Sequence, residues 1–319
     1  MQENLNISSN LEVFYDVFDE SCSFLYEKLH KNYLELIILT AKNILAGEVL
    51  NDLEDEDIKK LADIYKPLED KDFNVEEIRK AMQAQILKGI KEMNFQNGLT
   101  TPDSIGLLMA YLISRLTKEK VLNICDPLIG SGNMLYTISN HLTSTLNLFG
   151  ADHNEYMIRI AKVFADLLET EVELHLEDTL NLNIYNLDFI VFDMPNIIKD
   201  SKKEKEDAMY LPYKWILHYN EMIKDNGYII GLINNDFFDY DKDAKFKKKL
   251  LETSSIIGLI ELPDNMFVSK PKSLMIINKK VWDKKKCFIT KITSLSDVKT
   301  FNAELYKLES WLNENIKLE

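Results

Sequence analysis

The stretch Asp126-Pro127-Leu128-Ile129-Gly130-Ser131-Gly132-Asn133-Met134-Leu135 follows directly on an apolar run, Val121–Cys125, and leads into a helical pattern, Met134–Leu142. A strand, a glycine turn and a helix in that order form the opening unit of a parallel α/β sheet. Ligands of such sheets sit beyond the carboxyl ends of the strands, so the chemistry is expected in the residues after each run. The two glycines let the backbone approach a ligand closely, and the helix that follows offers free amide donors. A dinucleotide fingerprint would need a third glycine where Leu135 stands. Asp126 at the strand tip would also repel a pyrophosphate. An acid there suits a cation bearing an amino group, and S-adenosyl-L-methionine carries an α-amino group and a sulfonium but no phosphate.

Further runs of strand character lie at Leu146–Ala151, Val172–Leu176, Phe189–Phe192, Tyr228–Ile233, Ile256–Leu262 and Leu274–Ile277. Glu155–Leu168 and Pro212–Lys224 are helical between them. Strands alternating with helices predict a doubly wound sheet covered on both faces. Pro263–Ser273 is too irregular for a crossover helix, which predicts that the last of these strands is antiparallel. Asp152 ends the second run, Asp178 follows the third and Asp193 ends the fourth, so successive strands each deliver an Asp to one rim. Each is compatible on its own with a helix cap or turn. In register they form an acidic edge, in which Asp152 is placed to accept the hydroxyls of a ribose.

Upstream, apolar residues fall at helical spacing from Leu11 to Met93, for example Leu25, Leu29, Leu36 and Leu39. The acidic stretch 52–57 suits the first turn of a helix, and Asn74 with Glu77 predicts a capping box. Phe95-Gln96-Asn97-Gly98 breaks the pattern, giving a helical domain over 1–94 and a sheet domain over 95–319. A strand at Phe288–Ile292 and a helix at Ala303–Asn315 close the chain.

The 319 residues carry 38 basic and 52 acidic side chains, a net charge of −14, which disfavours free-standing attachment to nucleic acid or anionic membrane. No window reaches the roughly 18 uninterrupted apolar residues of a membrane span. The well-separated Cys22, Cys125 and Cys287 form neither a disulfide framework nor a zinc motif, and fit a reducing cytoplasm. His175 and His218 have no partner at ligand spacing, so no metal is expected.

These residues resemble the adenine-specific N-6 DNA methylases, in the branch similar to type I modification subunits and YtxK-like proteins. The resemblance runs from Phe95 to Lys280. Asn97-Gly98-Leu99-Thr100-Thr101-Pro102-Asp103 resembles the family's Thr-Pro element, which implies a cofactor contact from Thr101. Asp126-Pro127-Leu128-Ile129-Gly130-Ser131-Gly132 looks like its Asp-Pro-x-x-Gly-x-Gly cofactor loop. Phe149–Asn154 resembles the ribose segment, with Asp152 and the neighbouring His153. Glu177-Asp178-Thr179-Leu180 resembles the segment that meets the cofactor's adenine, and Ile260–Phe267 a late Leu-Pro-x-x-x-Phe segment. The fold so implied is α/β: a class I, Rossmann-like methyltransferase with a seven-stranded sheet, its seventh strand antiparallel, preceded by an all-α domain.

The family's catalytic turn reads Asn/Asp-Pro-Pro-Tyr/Phe. Its polar side chain and first prolyl carbonyl accept hydrogen bonds from the target amine while the aromatic ring stacks on the flipped base. Here the turn reads Asp193-Met194-Pro195-Asn196. Asp193 still accepts and Pro195 still stiffens the turn, but Asn196 offers no ring, and base stacking is worth about 1–3 kcal/mol. Phe192 is expected in the core, whereas the Phe237–Tyr240 group fits core or pocket equally. Lysines at 199–205, 242–249 and 279–286 fit a solvated surface, the first being best placed to touch phosphate.

The resemblance implies an S-adenosylmethionine-dependent methyltransferase acting on an amine of nucleic acid, by analogy DNA. A relative that has lost catalysis and serves as a cofactor-binding or scaffold protein is the competing reading, and an RNA or protein-amide methyltransferase a further one. DNA would be reached through a partner or a local lysine loop. The N-terminal helices are available for pairing two chains or docking a specificity partner.

Overall fold

A computed structural model describes residues 9–93, 100–196, 209–241, 243–267, 270–282 and 286–316. The described residues begin with five helices: α1 Ser9–Leu29, α2 Tyr33–Ala46, α3 Asp55–Glu69, α4 Val75–Glu92 and α5 Asp103–Leu116. Both predicted helix starts are realised. Asp55, Glu56 and Asp57 occupy the first turn of α3, and Asn74 and Glu77 cap α4 reciprocally.

The sheet strands are β1 Val121–Asp126, β2 Thr145–Asp152, β3 Val172–Leu176, β4 Leu187–Asp193, β5 Ile223–Asn234, β6 Ser255–Glu261, β7 Lys272–Asn278 and β8 Phe288–Lys291. Helices α6 Asn133–Asn140, α7 Glu155–Leu167, α8 Leu211–Met222 and α9 Lys245–Leu250 lie between them, and α10 Val298–Asn315 closes the fold. The strand order is β3-β2-β1-β4-β5-β7-β6-β8. All ladders are parallel except those β7 makes with β5 and β6. The expected seven strands and antiparallel seventh are present, and β8 adds an eighth beside β6.

Strand β4 sits near the centre, and its apolar run is buried on both faces. Phe192 is fully buried there, with its ring in the space beside Gly231, where an added Cβ would come within 2.1 Å of it. The core reading of Phe192 therefore holds.

The N-terminal helices do not stand apart from the sheet. Phe18, Leu34, Ile37 and Met82 share one buried cluster with Tyr136 of α6 and with Ile160 and Phe164 of α7. The boundary expected at 94/95 lies in a segment outside the described residues.

Candidate cofactor and acceptor site

The glycine loop is built by backbone geometry. Gly130 and Gly132 have φ of 53° and 87°, in the left-handed region that favours glycine. A Cβ on Gly132 would also meet the Tyr136 ring at 2.3 Å. Asp152 fastens this loop to β2: one carboxylate oxygen accepts the Gly130 N–H at 3.1 Å and the other the Asn154 N–H at 2.8 Å. Asn154 in turn caps α7, accepting from the Tyr156 N–H at 2.9 Å.

Asp126 is 1% exposed, and its carboxylate accepts the Leu128 N–H at 3.0 Å. Burial pushes its pKa well above the ordinary carboxylate range; that amide opposes the shift, and the charges of Asp193 and Asp152 add to it. Pro127, the next residue, is also buried. Asp178 is exposed and turns its carboxylate to the Leu180 N–H at 2.8 Å. The adjacent Thr179 is buried, its hydroxyl 2.7 Å from that of Tyr219. The His153 ring faces solvent, 84% exposed, with Nδ1 3.5 Å from Asp152.

At the tip of β4, Asp193 is committed on both sides. One oxygen accepts the Thr101 hydroxyl at 2.8 Å, which brings the Thr-Pro element to the rim, and the other is paired with the Lys272 ammonium. Burial raises the Asp193 pKa, while the Lys272 charge and the Thr101 hydroxyl pull it down. Lys272 Nζ also donates to the Met194 carbonyl at 2.8 Å. Pro195 is exposed and Asn196 half-buried. Two buried polar atoms flank this pair without a hydrogen-bond partner among the described residues: Thr100 Oγ1, beside Thr101, and Asn234 Oδ1, cross-strand from Lys272.

Behind the loop, Arg79 of α4 is 1% exposed and reaches Asn133, the first residue of α6, at 2.9 Å. Its other bonds go to Asp103 at 3.0 and 2.8 Å and to Glu76 at 2.8 and 2.9 Å. Burial alone would lower the guanidinium pKa, but the two carboxylates overcome it and hold the charge in place. Asn133 Nδ2 donates to Asp103 at 3.2 Å and to the Thr101 carbonyl at 3.5 Å. Arg79 thus ties the helical region to the residue that follows the glycine loop.

With this geometry in place, the comparisons with known proteins are specific. Residues 96–309 match the model of the N-6 DNA methylases, and residues 12–90 that of the YtxK N-terminal helical domain. The chain belongs to the N-6 DNA methylase family. It is 29% identical to the uncharacterized Bacillus subtilis protein YtxK over 266 residues, covering 79% of this chain and 80% of that one. It is 24% identical to the methylase subunit of a type I restriction enzyme of Methanocaldococcus jannaschii, over 53% of this chain and 34% of the subunit. A solved Listeria monocytogenes structure, assigned to the class I S-adenosylmethionine-dependent methyltransferases, superposes with a TM-score of 0.84 at 29% identity, covering 95% of this chain and 99% of that one. A type I methyltransferase subunit from Streptococcus thermophilus shares the fold, with a TM-score of 0.63 at 18% identity, over 95% of this chain and 75% of that one.

This member of the family thus has the class I methyltransferase fold, and no described helix is long and apolar enough to cross a membrane. The residues 199–205, the lysine stretch best placed for phosphate, lie outside the described residues. In the Phe237–Tyr240 group, Phe237 is core, packed on Tyr213, while Phe238 and Tyr240 are half-exposed and Tyr240 stacks on Tyr210 at 4.4 Å. Neither Lys272 nor Arg79 stands out in the sequence. Arg79 sits beside Lys80 in an ordinary helix and Lys272 follows Lys270 at an ordinary strand start, and apart from Glu76 their partners are distant along the chain.

Proposed function

We propose that the rim formed by the ends of β1, β2 and β3 binds S-adenosyl-L-methionine. The buried Asp126 carries this reading: a carboxylate whose pKa is raised by burial, and further by the charges of Asp193 and Asp152, is completed by a cationic ligand that offsets both. Pro127, Gly130 and Gly132 shape the loop that lets main chain meet the ligand. Asp152 keeps lone pairs beyond its two amide bonds and is set to take ribose hydroxyls. Asp178 and Thr179 border the base, His153 lies at the outer edge, and Thr101 links the pocket to Asp193. When bound, the cofactor supplies a methyl group made electrophilic by the sulfonium.

The acceptor side is the turn Asp193-Met194-Pro195-Asn196. In an amine methyltransferase the Asp193 carboxylate and the Met194 carbonyl accept the amine N–H groups and aim its lone pair, Pro195 stiffens the turn, and Asn196 borders the acceptor. Nucleic acid is the acceptor class that family membership favours, with DNA reached through a partner given the net charge of −14. The Lys272 pairing favours a second reading, a relative that keeps the cofactor site and acts as a cofactor-dependent binding protein. We place the division between helical and methyltransferase domains at residues 94/95.

Calorimetry of the full chain with S-adenosylmethionine and S-adenosylhomocysteine tests the cofactor site. Binding of either is expected, weakened about tenfold or more by Asp126→Ala, a loss of about 1.4 kcal/mol. Absence of binding by folded protein overturns the reading.

A further inference from the structure

We propose that Lys272 is the built-in occupant of the acceptor subsite and determines what that subsite admits: its ε-amino group stands where a substrate amine would stand, and an exocyclic base amine enters only when Lys272 leaves. The proposal rests on the reading of Asp193 and the Met194 carbonyl as the acceptor pair.

One nitrogen, Lys272 Nζ, donates to both members of that pair, the Asp193 carboxylate and the Met194 carbonyl. A target amine would make the same two bonds. The lysine is not a surface side chain that has swung inward. Its side chain is 5% exposed, and its backbone is fixed by both neighbouring strands: its carbonyl accepts the Leu262 N–H at 3.2 Å, and the preceding Pro271 carbonyl accepts the Asn235 N–H at 3.0 Å. Lys270, two residues earlier, is by contrast exposed and reaches Asp236 at the surface.

The departures of the turn agree with an internal occupant. Of the two residues the family pattern allows at 193, the carboxylate found here suits a permanent ammonium partner, and a buried charge needs one. With the amine supplied by the chain itself, neither an imino acid at Met194 nor a ring at Asn196 is required.

Removing Lys272 alone leaves Asp193 buried without its counter-ion, so the main test is the double variant Asp193→Asn/Lys272→Met, which is neutral and keeps an acceptor. Both proteins are saturated with S-adenosylhomocysteine and titrated with a single-stranded oligonucleotide carrying 2-aminopurine, read by fluorescence. The double variant is expected to bind the base about tenfold more tightly than the wild type. A second measurement compares thermal midpoints in ethylammonium chloride and in sodium chloride: the amine should raise the midpoint of Lys272→Ala by filling the vacated subsite and leave the wild type unchanged. Equal base binding by wild type and double variant, or a Lys272→Ala midpoint indifferent to ethylammonium, overturns the proposal. Failure of S-adenosylhomocysteine to bind either protein would refute the cofactor reading alone, because the ethylammonium measurement needs no cofactor.

Discussion

Arg79 Nη1 donates to Asn133 Oδ1 across 2.9 Å, joining the fourth helix of the chain to the first residue after the glycine loop. The same guanidinium forks onto Asp103, so the starts of α5 and α6 are held by one group from outside the sheet. Arg79→Met is expected to destabilise the chain by about 3 kcal/mol, the lower end for a broken buried pair because Glu76 and Asp103 are about a third exposed. Arg79→Lys should recover only part of this, since an ammonium lacks the planar fork. Urea denaturation measures both, and a loss below about 0.5 kcal/mol for Arg79→Met, the scale of an ordinary surface substitution, would show the network to be ornamental.

Asp126 gives a prediction with opposite signs for stability and binding. The folded chain holds the Asp126 proton more tightly than the unfolded chain, because the folded pKa is raised. The associated stability is fully present below the unfolded value of about 4 and is lost as pH rises through the folded value. At neutral pH Asp126 therefore contributes less to folding than it does in acid, and opposes it. Asp126→Asn should raise the thermal midpoint of the ligand-free chain by about 2 °C, the shift for roughly 1 kcal/mol in a large domain. It should also flatten the decline of stability with rising pH and weaken cofactor binding. A lower midpoint at pH 7 would contradict the electrostatic account.

Two of the tight glycines, Gly132 and Gly150, should respond differently to alanine. At Gly132 both φ of 87° and the rigid Tyr136 ring oppose a Cβ, so Gly132→Ala is expected to cost about 1–3 kcal/mol. At Gly150 the obstacle is the end of the Ile129 side chain at 2.3 Å, which can turn aside. Gly150→Ala should cost less, and the reverse order in urea midpoints would mean that the loop relaxes around Gly132.

Separating the two sequence regions should fail. Residues 95–319 alone would expose the faces of Tyr136, Ile160 and Phe164 that pack on the N-terminal helices, and would lose Arg79. The full chain is expected to unfold in one transition. The fragment should bind a hydrophobic dye and show weak near-ultraviolet dichroism. A fragment with native-like near-ultraviolet signal would show the shared cluster to be dispensable.

Much of this architecture is legible in the sequence because local signals agree with the fold. Periodicity marks the helices, apolar runs mark the strands, and the glycine loop with its Asp residues marks the rim. Lys272 escapes because only a parallel strand delivers its last residues to the rim. Strand β7 runs the other way between β5 and β6, so its first residue, not its last, reaches the rim beside Asn234. Arg79 escapes for another reason: a lone arginine on an amphipathic helix looks like surface until the fold closes over it. Asn196 stands where the family has a ring, and its neighbour Phe192 cannot replace that ring, being locked beside Gly231.

The cluster around Arg79 also bears on how such a chain can change over generations. Positions 79, 103 and 133 share one guanidinium, so none of them can drift alone: loss of the arginine leaves Asp103 with only the neutral donors Gln83 and Asn133 among the described residues, and loss of Asp103 leaves the interior cation one carboxylate, Glu76. Variation at these three places should come as joint replacements, and a helical region exchanged from a distant relative would have to bring its own match for Asp103 and Asn133.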